Sequence, residues 1–370
     1  MSLTARLSEL VSFDTQNPSG DERPMVAALG RQLGALGAHA VDVIEVGAHA
    51  MVYARFGAAR PRVLVNAHVD TVPANTGYSL SPLAVTERNG RLHGLGTSDT
   101  KGAIAAILEA LALARGAAAG AGPRGVGILF SGDEERAGTC MRRFLADPSL
   151  SGGLERAIVC EPTGCAVGWR HRGIGAAEAT AVSPGGHSSR VDRLPNPIAI
   201  LARAAVALDD MGRRHRDHGP AGFEGICMNV ASLDGGLAFN VIPTRATLKM
   251  SLRPAPGIDL AGLLREAEQV ARAAAAPAPI DWSVVNENPS FQTRDPGAFE
   301  PLLGPAAAAP VDLAFWTEAA LLSAAGIDAV VYGPGRIEQA HAADEYVALA
   351  ELEAARDTFR GLFSTEEARA

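Results

Sequence analysis

LVNAHVDTVP, residues 64–73, decides how the chain is laid out. Its first half is continuously apolar, as a strand buried on both faces of a sheet must be, and it ends at His68 with Asp70 two residues on. In a strand, residues two apart share a face, so the imidazole and the carboxylate are expected to point at one spot. The whole run is RVLVNAH (62–68), and similar apolar runs recur in GVGILFS (125–131), RAIVCEP (156–162) and DAVVYGPG (328–335), each passing into polar residues or a turn. Helical segments separate them, notably KGAIAAILEALALARG (101–116) and EYVALAELEAARDTFRGLF (345–363). Strands alternating with helices predict an α/β fold with a covered central sheet.

The middle of the chain reads differently. Residues 173–289 give a strand (GAAEATAV), a helix (PIAILARAAVALDDMGRRH), two strands (GICMNVASLDG and TRATLKMSLRP), a helix (DLAGLLREAEQVARAAAA) and a strand (IDWSVV). This β-α-β-β-α-β order is the ferredoxin-like pattern. The expected organisation is one domain formed by 1–172 and 290–370, interrupted by an α+β insert at 173–289; 370 residues suffice for two cores. ARGAAAGAGPRG, 114–125, is low in complexity and is read as a helix end and loop.

Bulk properties narrow the function. A net charge of −8 and a pI near 5.6 argue against nucleic acid as the main partner. No tract is apolar enough to span a membrane, and the N-terminal segment lacks the pattern of a signal peptide, so a cytoplasmic location is expected. Cys140, Cys160, Cys165 and Cys227 show no paired short spacing and are read as reduced thiols.

The polar residues fall where ligands bind in an open α/β sheet, at the carboxyl ends of strands. His68 and Asp70 follow the first run, Glu134 and Glu135 the second, Glu161 the third. Asp99 precedes a helix start, and His341 lies in the loop after the fourth run. Taken singly, Asp99 reads as a helix N-cap and Glu134 with Glu135 as a solvated turn. Together they would repel one another unless divalent cations compensated them. Mixed imidazole and carboxylate ligands suit zinc, cobalt or manganese, and five ligands exceed what one catalytic zinc with an open water position uses.

HVDTV (68–72), GLGTSDTKG (94–102), SGDEE (131–135), CEPT (160–163), GGHSS (185–189) and GPGRIEQAHAADEY (333–346) occur in order over nearly the whole chain. In this the sequence resembles the dinuclear zinc deacetylases and exopeptidases, which include acetylornithine deacetylase, succinyl-diaminopimelate desuccinylase and carboxypeptidase G-type enzymes. The resemblance implies a zinc-exopeptidase-like catalytic domain with a mixed central sheet and an inserted lid and dimerisation domain. It implies that His68 and Glu161 hold one metal, Glu135 and His341 the other, and that Asp99 bridges them. It casts Asp70 as the acceptor of a hydrogen bond from His68, Glu134 as general base, and His187 as an oxyanion donor reaching the partner subunit of a homodimer; on local sequence alone, His187 also reads as a surface residue in a Gly-rich turn. A cis peptide is implied between Asp99 and Thr100.

Asn240 and Arg253 match inserted-domain residues that bind substrate carboxylate or amide groups in related enzymes, Arg172 is a third candidate, and a guanidinium can grip a carboxylate bidentately. Glu318 lies in FWTEAALLSAAG (315–326), which resembles the Thr-Glu-Ala segment of acetylornithine and acetylcitrulline deacetylases. The implied reaction is removal of the acetyl group from a small N-acetyl amino acid, N2-acetyl-L-ornithine or a close relative, in arginine biosynthesis, with two divalent ions, zinc first and cobalt able to substitute. The alternatives are a desuccinylase or a dipeptidase on the same fold.

Overall fold

A computed structural model describes residues 1–57, 59–116 and 125–364. Most of the low-complexity stretch at 114–125 therefore lies outside the described residues. The chain divides into two compact units, one formed by Met1–Trp169, Gln292–Val311 and Thr317–Ala370, the other by Arg170–Phe291 and Asp312–Trp316. The sequence expectation for the insert was 173–289, without the short return at Asp312–Trp316.

In the first unit the four apolar runs form Val63–His68, Gly125–Ser131, Arg156–Val159 and Asp328–Val331. Val63–His68 lies between Gly125–Ser131 and Arg156–Val159, parallel to both, and Asp328–Val331 continues the parallel set beyond Arg156–Val159. The hairpin Ala40–Val46 and His49–Gly57 joins antiparallel on the Gly125–Ser131 side, making the sheet mixed. Every residue of Val63–His68 and Gly125–Ser131 is buried, which accounts for their unbroken hydrophobicity. Burying each Val or Leu contributes on the order of 2 kcal/mol, so a charge at Val65 would break the central strand.

The helix Lys101–Gly116 is buried around most of its circumference. It packs against Leu3–Val11 and Leu349–Leu362, with Ile104, Leu108, Leu352 and Phe359 in one continuous core. The sequence expectation of a helix over 345–363 needs correction at its start. Tyr346–Ala348 is a strand paired antiparallel with Arg91–His93, and the helix begins at Leu349. Tyr and Val favour the pleated surface, and an available edge overrides the helical period.

The second unit is a four-stranded antiparallel sheet in the order Asn229–Gly235, Arg245–Leu252, Ile174–Val182, Asp281–Asn288. This is ferredoxin-like, with the first and third strands central. Helices Pro197–Arg214 and Leu260–Ala275 share a core with the sheet that includes Leu201, Leu208, Leu248 and Leu264. The first helix is capped by Asn196, whose side chain accepts from the amides of Ile198 and Ala199, and it starts at Pro197. Gly175 keeps the sheet close to a helix, since a Cβ there would lie 2.8 Å from Leu260. No described helix is long and apolar enough to cross a membrane. All four cysteines are free, with Cys140 and Cys160 buried and Cys227 exposed.

Candidate metal centre

The parallel strands of the first unit all end on one edge of their sheet, and this delivers the acids. His68 closes its strand, Ser131 hands over to Asp133, Glu134 and Glu135, Val159 to Glu161, and Val331 to the loop bearing His341. Asp99 arrives from the turn before Lys101–Gly116, and the Asp99–Thr100 peptide is cis.

Donor atoms of His68, Asp99 and Glu161 all lie within 4.8 Å of one another, as do those of Asp99, Glu135 and His341. Asp99 belongs to both groups and divides its oxygens between them. Its Oδ1 is 2.9 Å from His68 Nε2, and its Oδ2 is 3.4 Å from His341 Nε2, which stands 3.1 Å from Glu135 Oε1. His68 Nδ1 is 2.9 Å from the main-chain carbonyl of Asp70, an acceptor only, so Nδ1 carries the proton and donates it there. That leaves a lone pair on Nε2 facing a carboxylate oxygen, and two acceptors at that distance require a proton or a cation between them. The residues therefore fit a pair of divalent ions sharing Asp99, with nitrogen and oxygen donors of the kind zinc accepts.

Electrostatics point the same way. Desolvation raises Glu161 and Glu134 well above the usual carboxylate range, and neighbouring carboxylates push them further. Burial opposes a charged His68, yet Asp70 and Asp99 outweigh it and raise the imidazole well above its ordinary value. Hydrogen bonds to Asp99 and then Glu135 carry His341 up to about 10. A cluster that holds extra protons this firmly is one that a cation would neutralise.

The Asp70 carboxylate does not make the expected close contact with the imidazole. The strand ends at His68, so the alternation of faces no longer applies at Asp70, whose Oδ1 lies 3.6 Å from Nδ1. The carboxylate instead accepts from the amides of Glu134 (3.1 Å) and Glu135 (3.2 Å) and from Asn17 Nδ2 (3.1 Å). Asp70 thus orients His68 through its carbonyl and the Glu134–Glu135 turn through its carboxylate.

Glu318 also lies in the first unit, 1 % exposed, with Oε2 accepting from Ser131 Oγ at 2.7 Å. Burial holds its carboxyl up to about 7, and Glu134 and Glu161 both feel its charge. The remaining candidates belong to the second unit. His187 is exposed, pairs with Val241 in a two-residue ladder, and has Nδ1 2.9 Å from Ser189 Oγ. Asn240 is exposed beside it, its carbonyl accepting from the Ser188 amide. Arg253 is partly buried. Arg172 turns inward: its guanidinium donates to the carbonyls of Gly225, Glu224, Arg253 and Phe223 and stacks 4.4 Å from the Phe223 ring centre. Its fork is committed to protein carbonyls, which suits holding a loop rather than reading a free carboxylate.

Sequence reasoning gave no role to Glu345, whose buried carboxylate accepts from the amides of Gly96, Ser98 and Asp99 and so fixes the turn that presents Asp99. Its place in AHAADEY, four residues after His341, was the only local signal. Asn17, far along the chain from both Asp70 and Asp133, gave none.

The family model for "Peptidase family M20/M25/M40" matches residues 64–365. N-acetyl-L-citrulline deacetylase from Xanthomonas campestris pv. campestris is 36% identical, over 94% of this chain and 93% of its own. Acetylornithine deacetylase from Photorhabdus laumondii subsp. laumondii is 32% identical, over 77% of this chain and 74% of its own. Among solved structures, an M20 family metallo-carboxypeptidase from Sulfolobus solfataricus superposes with a TM-score of 0.81 at 16% identity, covering 99% of both chains. The chain belongs to peptidase family M20/M25/M40 and is a hydrolase.

Proposed function

We propose that the protein is a metal-dependent deacetylase of N-acetyl amino acids, with N-acetyl-L-citrulline and N2-acetyl-L-ornithine as the leading substrates. The observation that carries the metal chemistry is the position of Asp99, one oxygen toward His68 and the other toward His341, shared by the groups His68–Asp99–Glu161 and Asp99–Glu135–His341. Two divalent ions held there, zinc first, would acidify a water and polarise the amide carbonyl. The named relatives support the N-acetyl amino acid class.

The chain's own residues do the rest. Glu134 is largely buried, and its elevated carboxyl suits a group that accepts a proton from the attacking water and returns it to the leaving amine. The amide of Glu134 is tied to Asp70, which limits the turn's freedom during that exchange. His187 donates a hydrogen bond to the developing oxyanion in the partner subunit of a homodimer formed through the second unit; its exposure and the fixing of its ring by Ser189 support this. Arg253 grips the α-carboxylate, and Asn240 binds a carboxylate or amide group of the substrate. Glu318, buried behind Ser131, acts on the pocket's charge rather than by exposed contact with substrate.

The test is acetate release from N-acetyl-L-citrulline and N2-acetyl-L-ornithine, beside succinate release from N-succinyl-diaminopimelate, by zinc- and cobalt-loaded protein. The expected result is metal-dependent deacetylation with kcat/KM well above that for the succinyl compound. Preference for the succinyl compound would contradict the substrate class, and equal activity after complete metal removal would contradict the mechanism.

A further inference from the structure

We propose that Glu22 and His49 are positioning residues for the turn that carries Glu134 and Glu135. The proposal rests on the hydrolase mechanism above for its kinetic consequence, and on Glu135 as a metal ligand for its spectroscopic one.

Glu22 occupies the N-cap position of the helix Arg23–Ala35, and its side chain makes no cap hydrogen bond. It is 4 % exposed and turns its carboxylate away from the helix. Oε1 accepts from His49 Nδ1 (2.9 Å) and from the Asp133 amide (3.2 Å), and Oε2 from the Ala50 amide (3.1 Å). Gly132 is what admits it, because a Cβ there would lie 1.8 Å from Glu22 Oε2. A glycine in SGDEE thus serves a carboxylate supplied from more than a hundred residues away, as the separation of 111 between Glu22 and Asp133 shows.

His49 faces carboxylates through both ring nitrogens, with Nε2 3.4 Å from Asp133 Oδ1. Burial opposes a charged His49, yet its hydrogen bond to Glu22 and the nearby Asp133 raise the imidazole above its ordinary value, and the ring lies between the two carboxylates. Asp133 has φ +64, the left-handed region that few non-glycine residues adopt, and it is fastened from every side. Its carbonyl accepts from Ala137 and Gly138, its Oδ2 from the Thr139 amide and hydroxyl, and its Oδ1 from Asn17 Nδ2 at 3.0 Å. The same Asn17 amide group reaches Asp70, which holds the amides of Glu134 and Glu135. An unbroken set of contacts therefore runs from His49 and Glu22 through Asp133, Asn17 and Asp70 to the general base and its neighbouring ligand. Neither Glu22 nor His49 has a described hydrogen bond to any of the five metal-holding residues.

Misplacing a reacting group by about 1 Å can cost on the order of 10²-fold in rate, so supporting contacts of this kind register in turnover before they register in folding. The experiment uses cobalt-loaded full-length protein carrying His49→Gln, Glu22→Gln, or both. Each single variant is expected to keep the metal content of the wild type, shift the visible cobalt absorption because Glu135 is repositioned, and lower kcat about tenfold or more with KM changed less than about twofold. The double variant should lose no more than the poorer single, since the pair acts as one unit. An unchanged cobalt spectrum in both single variants overturns the proposal whatever the substrate proves to be. So does a wild-type kcat in an active enzyme, or a fall in kcat that merely tracks lost metal. Absence of deacetylation by the wild-type enzyme would instead strike at the substrate reading and leave the spectrum to decide this one.

Discussion

The candidate site groups of the two units differ in how they are held. In the first, Asp70, Asp99 and Glu318 are buried and hydrogen-bonded to other residues of the unit, Glu161 is buried near Asp99 and His68, and the candidate ligand groups all come from that unit. In the second, His187 stands exposed on a short ladder with Ser189 beside its ring, and Asn240 lies exposed next to that ladder, whereas Arg172 is buried among main-chain carbonyls. Burial of charge is costly and persists where something compensates it, whereas exposed polar groups persist freely and acquire a task only on binding. The buried groups of the first unit therefore call for a compensating cation, whereas the exposed His187 and Asn240 need none.

The largest expected effect breaks the first side of this contrast. Glu134→Ala should lower kcat by about 10³-fold or more while the metal content, measured by elemental analysis, stays near that of the wild type. Equal loss of metal would make Glu134 a ligand rather than a base. His187→Ala tests the other side. It should lower kcat about 10²-fold with the dimer unchanged by sedimentation, and an active monomer would contradict donation across subunits.

Two arginines of the second unit sharpen the comparison at smaller scale. Arg172→Ala should destabilise the protein by about 3 kcal/mol, because buried carbonyls lose a charged donor, and Arg253→Ala should leave Tm unchanged while raising KM about tenfold. The reverse pattern would exchange their roles.

The smallest effect concerns Glu318 in chelator-treated protein. Its folded carboxyl is raised by burial from 4.5 to about 7, so the folded chain keeps a proton that the unfolded chain releases. This contribution to stability is complete below about pH 4.5 and is lost as pH rises through about 7. Glu318→Gln should remove that loss, so its Tm advantage over the wild type should grow across this window. A constant difference would mean that Glu318 is not buried as a titrating acid.

Much of the first unit was legible because one physical rule produced both signals. A strand buried on both faces must be apolar throughout, and the residues that follow its carboxyl end are free to be polar, so Val63–His68, Gly125–Ser131 and Arg156–Val159 could be read together with the acids after them. The ferredoxin-like order of the second unit was legible for a similar reason, its strands and helices having distinct periods. What escaped was tertiary. Tyr346–Ala348 became a strand because an edge was available, and Asp70 lay past the strand's end, where alternation stops. Arg172 could not be told from a surface arginine, since the carbonyls it serves come from a loop some fifty residues onward, at Phe223–Gly225. Glu22, His49 and Asn17 carry no local pattern at all, because their partners are assembled by the fold.

The most direct test is anomalous diffraction at the zinc edge from crystals of the zinc-loaded protein. Two peaks are predicted in the first unit, each about 2.0–2.2 Å from a different oxygen of Asp99, one also touching His68 and Glu161 and the other Glu135 and His341. A single fully occupied peak at saturating zinc, or a pair of which neither contacts Asp99, would contradict the account.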